Sequence, residues 1–383
     1  MTLRKSILLT LCLTAVVSIG SPAWAEIFLS TGIRYDIGID NGSPETTGYE
    51  FTLPIGLAYR GERLSISAES AFSNAYVEDT DSAEASISSV TDTLLSASYS
   101  YPLSNHPVAL LFGLDANLPT GHERLSEAEE SAEWGESGDL FEVDNFGEGL
   151  NLGLSIGAMH QNGDTVVAFQ GAYVLTGEFD PGSDADDDTL DPGDQMLLLG
   201  LLNAQISSWL NVEWMLAYSY FGDDKTEGTK TFQQGNQCML GGNMTIARDP
   251  MTMSTRLQAT FPKVNNELVD DAWEQEYDSS NGINISGAVS GAYALSDLLT
   301  LQLQGDVRYY GASDLQDDDT GLPYSGTRIR YAVAPGMTYL FTNGLSLRGG
   351  AELFAMTQEQ DMFMEDNLVF RGLNLQVGVF YTF

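Results

Sequence analysis

The groups best suited to chemistry in this chain are its few arginines, because of how they are spaced against carboxylates. Sixteen Lys and Arg stand against 54 Asp and Glu, a formal net charge of −38 at pH 7. Arg34 and Asp36, Asp306 and Arg308, Arg328 and Arg330, and Arg348 and Glu352 recur two or four positions apart, and Arg256 lies in the same phase of its own segment. Residues two apart share one face of a strand, so each group points the same way. Two chemistries suit such a strip. Guanidinium–carboxylate pairs can brace a wall and satisfy charge that would otherwise be buried. The same guanidiniums can orient a passing carboxylate or phenolate. The two are compatible, and the sequence leaves both open.

Other constellations fall short of a site. Asp184, Asp186 and Asp188 match the first three alternate ligand positions of an EF-hand loop. Thr189 replaces the glycine the turn requires, however, and Gln195 stands where a bidentate glutamate belongs. No cofactor is expected beyond calcium or magnesium held loosely at acidic loops. The three histidines, His106, His122 and His160, are scattered. His122 is near Ser126, but no carboxylate is singled out to orient it, so no catalytic centre is expected. The acidity excludes nucleic acid as a partner.

The elements that must position the arginines are strands. In the final stretch Leu373, Leu375, Val377, Val379, Tyr381 and Phe383 alternate with Asn374, Gln376 and Gly378, giving one apolar face and one polar or small one. The same reading gives about sixteen segments: 27–39, 47–60, 64–77, 88–101, 107–119, 147–161, 164–178, 195–207, 210–222, 230–247, 251–262, 281–295, 298–311, 326–341, 344–358 and 367–383. The eighth and tenth are the least regular, which keeps fourteen strands as an alternative. Short links alternate with long ones, and the long ones hold most of the acids. No later stretch is apolar over enough residues for a spanning helix, so a membrane chain of this kind must close into a barrel. The pattern therefore predicts an all-β, transmembrane, antiparallel up-and-down barrel with both termini periplasmic and long acidic external loops.

The N-terminus fits export. Arg4 and Lys5 precede an apolar run over 7–19, and Ala23-Trp24-Ala25 is a small-x-small cleavage site. Residues 1–25 read as a cleaved signal peptide and 26–383 as one barrel domain. The expected partners are outer-membrane lipid and lipopolysaccharide, a small solute, and the barrel assembly machinery through the strand ending in Phe383. Inward positions such as Ser65, Ser67, Ser96, Ser98 and Ser100 are small and hydroxylated, as a water-accessible conduit requires. The longest link, 120–146, carries Trp134, Leu140 and Phe141 among its acids and is a candidate constriction loop.

One stretch also carries a family resemblance. Gly113-Leu114-Asp115-Ala116-Asn117-Leu118-Pro119-Thr120-Gly121 resembles the strand end of outer-membrane transporters grouped under the MetA pathway of phenol degradation. The glycine-rich stretch 147–157, Tyr173-Val174-Leu175-Thr176-Gly177-Glu178 and Asp191-Pro192-Gly193-Asp194 look similar to that family's following segments. The resemblance covers about residues 108–215. It implies an outer-membrane channel for aromatic or other small hydrophobic compounds and assigns no binding residue.

Overall fold

A computed structural model describes residues 25–41, 46–79, 85–122, 124–126, 129, 132, 143, 146–180, 189–269, 272–316, 322–341, 344–362 and 367–383. Residues 1–24 of the expected signal peptide 1–25 lie outside these. The barrel wall is built from β1 (Glu26–Asp40), β2 (Thr46–Arg60), β3 (Leu64–Asp79), β4 (Ala85–Val90) continued by β5 (Thr93–Pro102), β6 (Val108–Leu118), β7 (Asn151–Asn162) and β8 (Thr165–Leu175). It goes on, past the two-residue β9 (Leu190–Asp191), with β10 (Gln195–Ser207) and β11 (Leu210–Phe221). Then come β12 (Asp224–Thr226), β13 (Thr229–Gln233), β14 (Gln237–Arg248), β15 (Met251–Pro262), β16 (Asn266–Val269) and β17 (Ala272–Gln275). The chain ends with β18 (Asn284–Ala294), β19 (Leu299–Tyr310), β20 (Arg328–Leu340), β21 (Leu345–Gln358) and β22 (Leu368–Thr382).

Each wall strand pairs antiparallel with its neighbours, and β1 pairs with β22 from Phe28↔Thr382 to Asp40↔Phe370. With β4 and β5 serving one position, the closed wall has sixteen strands. The break between them has a local cause. The Ala71 amide donates to Thr91 Oγ1 at 3.0 Å and the Thr91 amide to the Ala71 carbonyl at 2.8 Å, so Thr91 and Asp92 step out of the ladder.

Alternation sets which face meets what. Leu57, Leu154, Ile156, Trp214, Leu257, Leu303 and Val377 all stand exposed on the outer face. Aromatics mark both rims of that band. Tyr49 stacks on Tyr76 with centroids 4.9 Å apart near the long-loop end. At the short-turn end Tyr381 meets Phe383 edge-on at 4.4 Å and Arg248 lies 4.1 Å over Trp209. An apolar band between aromatic girdles around a closed hydrogen-bond ladder is the form a sheet takes when it spans a bilayer.

At the long-loop end β9, β12, β13, β16 and β17 form a separate five-stranded antiparallel sheet. A single strand over 230–247, as alternation suggests, is in fact two: β13 belongs to this loop sheet and β14 to the wall. The joint is Gly235, whose amide donates to Asn265 Oδ1 at 2.7 Å and where a Cβ would fall 2.0 Å from the Lys263 carbonyl. Lys225 pairs with Asp191 at 2.7 Å across the sheet, which holds its ammonium pKa above the ordinary lysine value.

Ile156→Arg on the outer face should lower unfolding free energy by about 2–4 kcal/mol in urea titrations of the lipid-embedded barrel. Ser290→Arg on the inner face should cost less than half as much. Equal costs would contradict the assignment of faces.

Candidate functional site

The inner wall carries a polar belt assembled from many strands. Arg330 on β20, 3 % exposed at its side chain, reaches Glu352 Oε1 on β21 at 2.5 Å and Asp306 Oδ2 on β19 at 3.4 Å. Its guanidinium also lies 4.6 Å over the Phe354 ring. Asn374 on β22 donates to the same Glu352 oxygen at 3.1 Å and is the register partner of Asp36 on β1. Arg34 Nε donates to both Asp36 oxygens, at 2.9 and 3.0 Å. Asp36 in turn stands opposite Glu50 on β2, and both are fully buried. Glu50 accepts from Ser73 Oγ on β3 at 2.5 Å and from the Val143 amide at 3.2 Å. The belt thus runs from β19 to β3 across the closing seam.

The remaining arginines are more loosely placed. Arg308 Nε stands 3.8 Å from Asp306 with its side chain 43 % exposed. Arg328 lies 5.0 Å over Tyr310, and Arg348 lies 4.3 Å over Phe380 towards the short-turn end. Arg256 on β15 donates to Gln258 at 2.8 Å and shares a recess with Arg308. The structure therefore brings Arg34, Arg308 and Arg330 together with Asp36, Asp306 and Glu352, with Arg328 adjoining. Arg256 and Arg348 sit above and below in the lumen. Trp134, Leu140 and Phe141, like Asp184, Asp186 and Asp188, lie outside the described residues.

The described part of the longest link does run inward. Leu125, Ala132, Val143 and Phe146 pack on Ala75, Val77, Ala85 and Ile87, the inward residues of β3 and β4. Asp92 ties both ends of this link down. It accepts from the Gly121 amide at 2.9 Å, the Glu148 amide at 2.9 Å and Asn117 Nδ2 at 2.6 Å. A Cβ on Gly121 would come within 1.7 Å of the Phe146 carbonyl, so the closing glycine of Leu-Pro-Thr-Gly is fixed by close approach. This knot explains why β7 starts at Asn151 rather than at 147.

Sequence reasoning missed the opposite wall. Leu197 and Leu199 on β10, Met215 on β11 and Met239 on β14 are buried on the inner face. Below them Ala109, Leu111, Met159, Ala168 and Leu201 form a second inward cluster. The signal was present as the loss of alternation in Met196-Leu197-Leu198-Leu199-Gly200-Leu201-Leu202, where apolar residues on both faces erase the period of two.

Between the two walls lie three recesses of 440, 370 and 680 Å³. The first two share Arg256, Gln258 and Gln304, and the second and third share Ser290 and Gln304. Together they run from Gln195 and Tyr310 near the long-loop end to Ser30 and Phe380 near the short-turn end.

No family model matches the chain, and no curated protein matches it either. Solved structures of similar shape include Pseudomonas aeruginosa OccK7, with 11% identity and a TM-score of 0.46 over 94% of this chain and 98% of that one. Acinetobacter baumannii OccAB3 gives 10% and 0.43 over 94% and 100%, and an outer membrane channel of Pseudomonas putida F1 gives 12% and 0.40 over 95% and 97%. At this distance no role of a residue carries over from them. The closed sixteen-strand wall and its lipid-facing band define an outer-membrane β-barrel.

Arg330→Met removes the buried guanidinium shared by Asp306 and Glu352 and should cost about 3–5 kcal/mol in urea unfolding. Arg348→Met loses a cation–π contact and should cost about 1 kcal/mol or less. Equal losses would remove the distinction between belt and outlying arginines. Asp92→Ala releases three donors, so limited proteolysis between 119 and 149 should speed up several-fold. An unchanged cleavage rate would show that the knot does not hold the link.

Proposed function

We propose that this chain is a channel for passive uptake of small organic solutes across the outer membrane, with amphipathic anions such as aromatic or phenolic carboxylates as the favoured class. In this reading the long-loop end faces the outside and both termini are periplasmic. The supporting observation is the overlapping series of recesses along the inner wall, the first two touching the apolar strip at Leu197, Met239 and Met215 and the first and third touching the belt at Asp306, Arg308 and Arg34. A solute with a charged head and an apolar body finds a partner for each part without leaving the path. Conduction asks for several weak sites rather than one tight one, and arginines spread along the path at Arg308, Arg256 and Arg348 meet that need. The partial family resemblance around Leu118-Pro119-Thr120-Gly121 implies aromatic or other small hydrophobic compounds, which accords with the apolar body of that class but not with its charge.

A second reading draws on the loop sheet and the inward-folded link. With the lumen plugged by them, the barrel would be a non-transporting surface protein whose acidic loops bind divalent cations, lipopolysaccharide or a partner protein. Purified protein in planar bilayers decides between them. The channel should give discrete conductance steps that rise when Asp92→Ala frees the link. Silence from correctly folded, heat-modifiable protein would favour the second reading.

A further inference from the structure

We propose that the recess nearest the long-loop end is a binding site for a small monocarboxylate with an apolar body and a neutral hydrogen-bonding group at its far end. The inference deepens the channel reading, since it names what the outermost station of that path would hold. Two features on opposite flanks of the recess carry it.

On one flank are the guanidiniums of Arg256 and Arg308, which bracket Ser286 and Ala288 of β18 in the register. Among the described residues Asp306 is the one carboxylate lining the recess, and it is shared between Arg330 at 3.4 Å and Arg308 at 3.8 Å, so two lining guanidiniums stand against one lining carboxylate. A ligand carboxylate is the complement. On the other flank Gln195 and Gln237, only 5 % and 7 % exposed, bracket Ser219 and Phe221 of β11. Among the described residues Gln195 Oε1 and Gln237 Nε2 find no hydrogen-bond partner, and both residues line the cavity, so a small side-chain rotation offers either covered atom to a ligand. A buried amide atom left unmade costs about 1–3 kcal/mol, so two at one cavity wall mark a place where a partner is missing. One lacks a donor and the other an acceptor. A hydroxyl or amide supplies both.

Leu197, Phe221 and Met239, all buried, lie on the glutamine flank as an apolar floor for the ligand body. Three strand spacings, about 14 Å of wall, separate β11 from β18. Side chains reaching inward shorten that to the length of a six- to eight-atom chain. The volume of 440 Å³ holds such a molecule with room for water.

The test is calorimetric titration of the folded, full-length barrel in detergent micelles with 6-hydroxyhexanoate, hexanoate and 1,6-hexanediol. Saturable binding of 6-hydroxyhexanoate is expected, with hexanoate and hexanediol each weaker by about fivefold or more. In the Gln195→Leu/Gln237→Leu variant the gap between 6-hydroxyhexanoate and hexanoate should close while the preference for acid over diol remains. Arg256→Gln/Arg308→Gln should remove that preference instead. Should a double variant fail to fold, the three-probe comparison on the unaltered protein still decides. No saturable binding, or equal affinity for the two acids, would overturn the proposal and assign the glutamines to trapped water alone. Because binding is read without transport, conductance without binding sinks only this inference, and binding without conductance sinks only the channel.

Discussion

Closure of the backbone hydrogen-bond ladder at β1 and β22 is the constraint on which the rest depends. In hydrocarbon an open sheet edge leaves a row of unpaired N–H and C=O groups, each costing several kcal/mol, so a spanning sheet must return to its own beginning. The same seam makes the polar belt possible. It sets Asn374 beside Asp36 and Gln376 beside Arg34, joining residues from the two ends of the chain into one network. Without closure the Arg330–Glu352–Asn374 group and the Arg34–Asp36 group would be separate fragments.

The inner wall is then divided by what each sector has to hold. The belt keeps buried carboxylates only because guanidiniums and hydroxyls meet them. Apolar replacements of equal volume would hold a dry interior as well or better, so a belt of this kind belongs to a wall that faces water. Arg330 and Arg34 are committed to that network by short contacts, whereas Arg256, Arg308 and Arg348 keep more exposure along the recesses. Across the lumen Leu197, Leu199, Met215 and Met239 present an unbroken apolar surface. Strand phase alone produces this two-sidedness, since one step along the chain exchanges lipid for lumen.

Much of this was legible in the residues, for reasons that can be stated. The period-two pattern of Leu373 to Phe383 and its counterparts is imposed by lipid on one side, so strand number, link lengths and the inward phase of the arginines could all be read. Arg330, Asp306 and Glu352 were in reach because they share that phase. Glu50, Asn374 and Asp92 were not, since their roles come from partners on other strands or on the long link. β10 hid its inner apolar face because Leu occurs on both of its sides. The loop sheet was invisible for another reason: strands of two to five residues such as Leu190–Asp191 and Ala272–Gln275 are too short for a period to show.

The central claim is a closed wall wetted on the inside and oily on the outside, and thiol accessibility tests it most directly. With Cys12 and Cys238 replaced by serine, single cysteines are placed at Thr252, Ser290 and Gln302 on the inner face and at Leu257, Val289 and Leu303 on the outer one. A charged, membrane-impermeant maleimide is then added to the protein in lipid vesicles. The account predicts rapid labelling of the first three and protection of the second three. Uniform labelling, or protection of both sets, would contradict it.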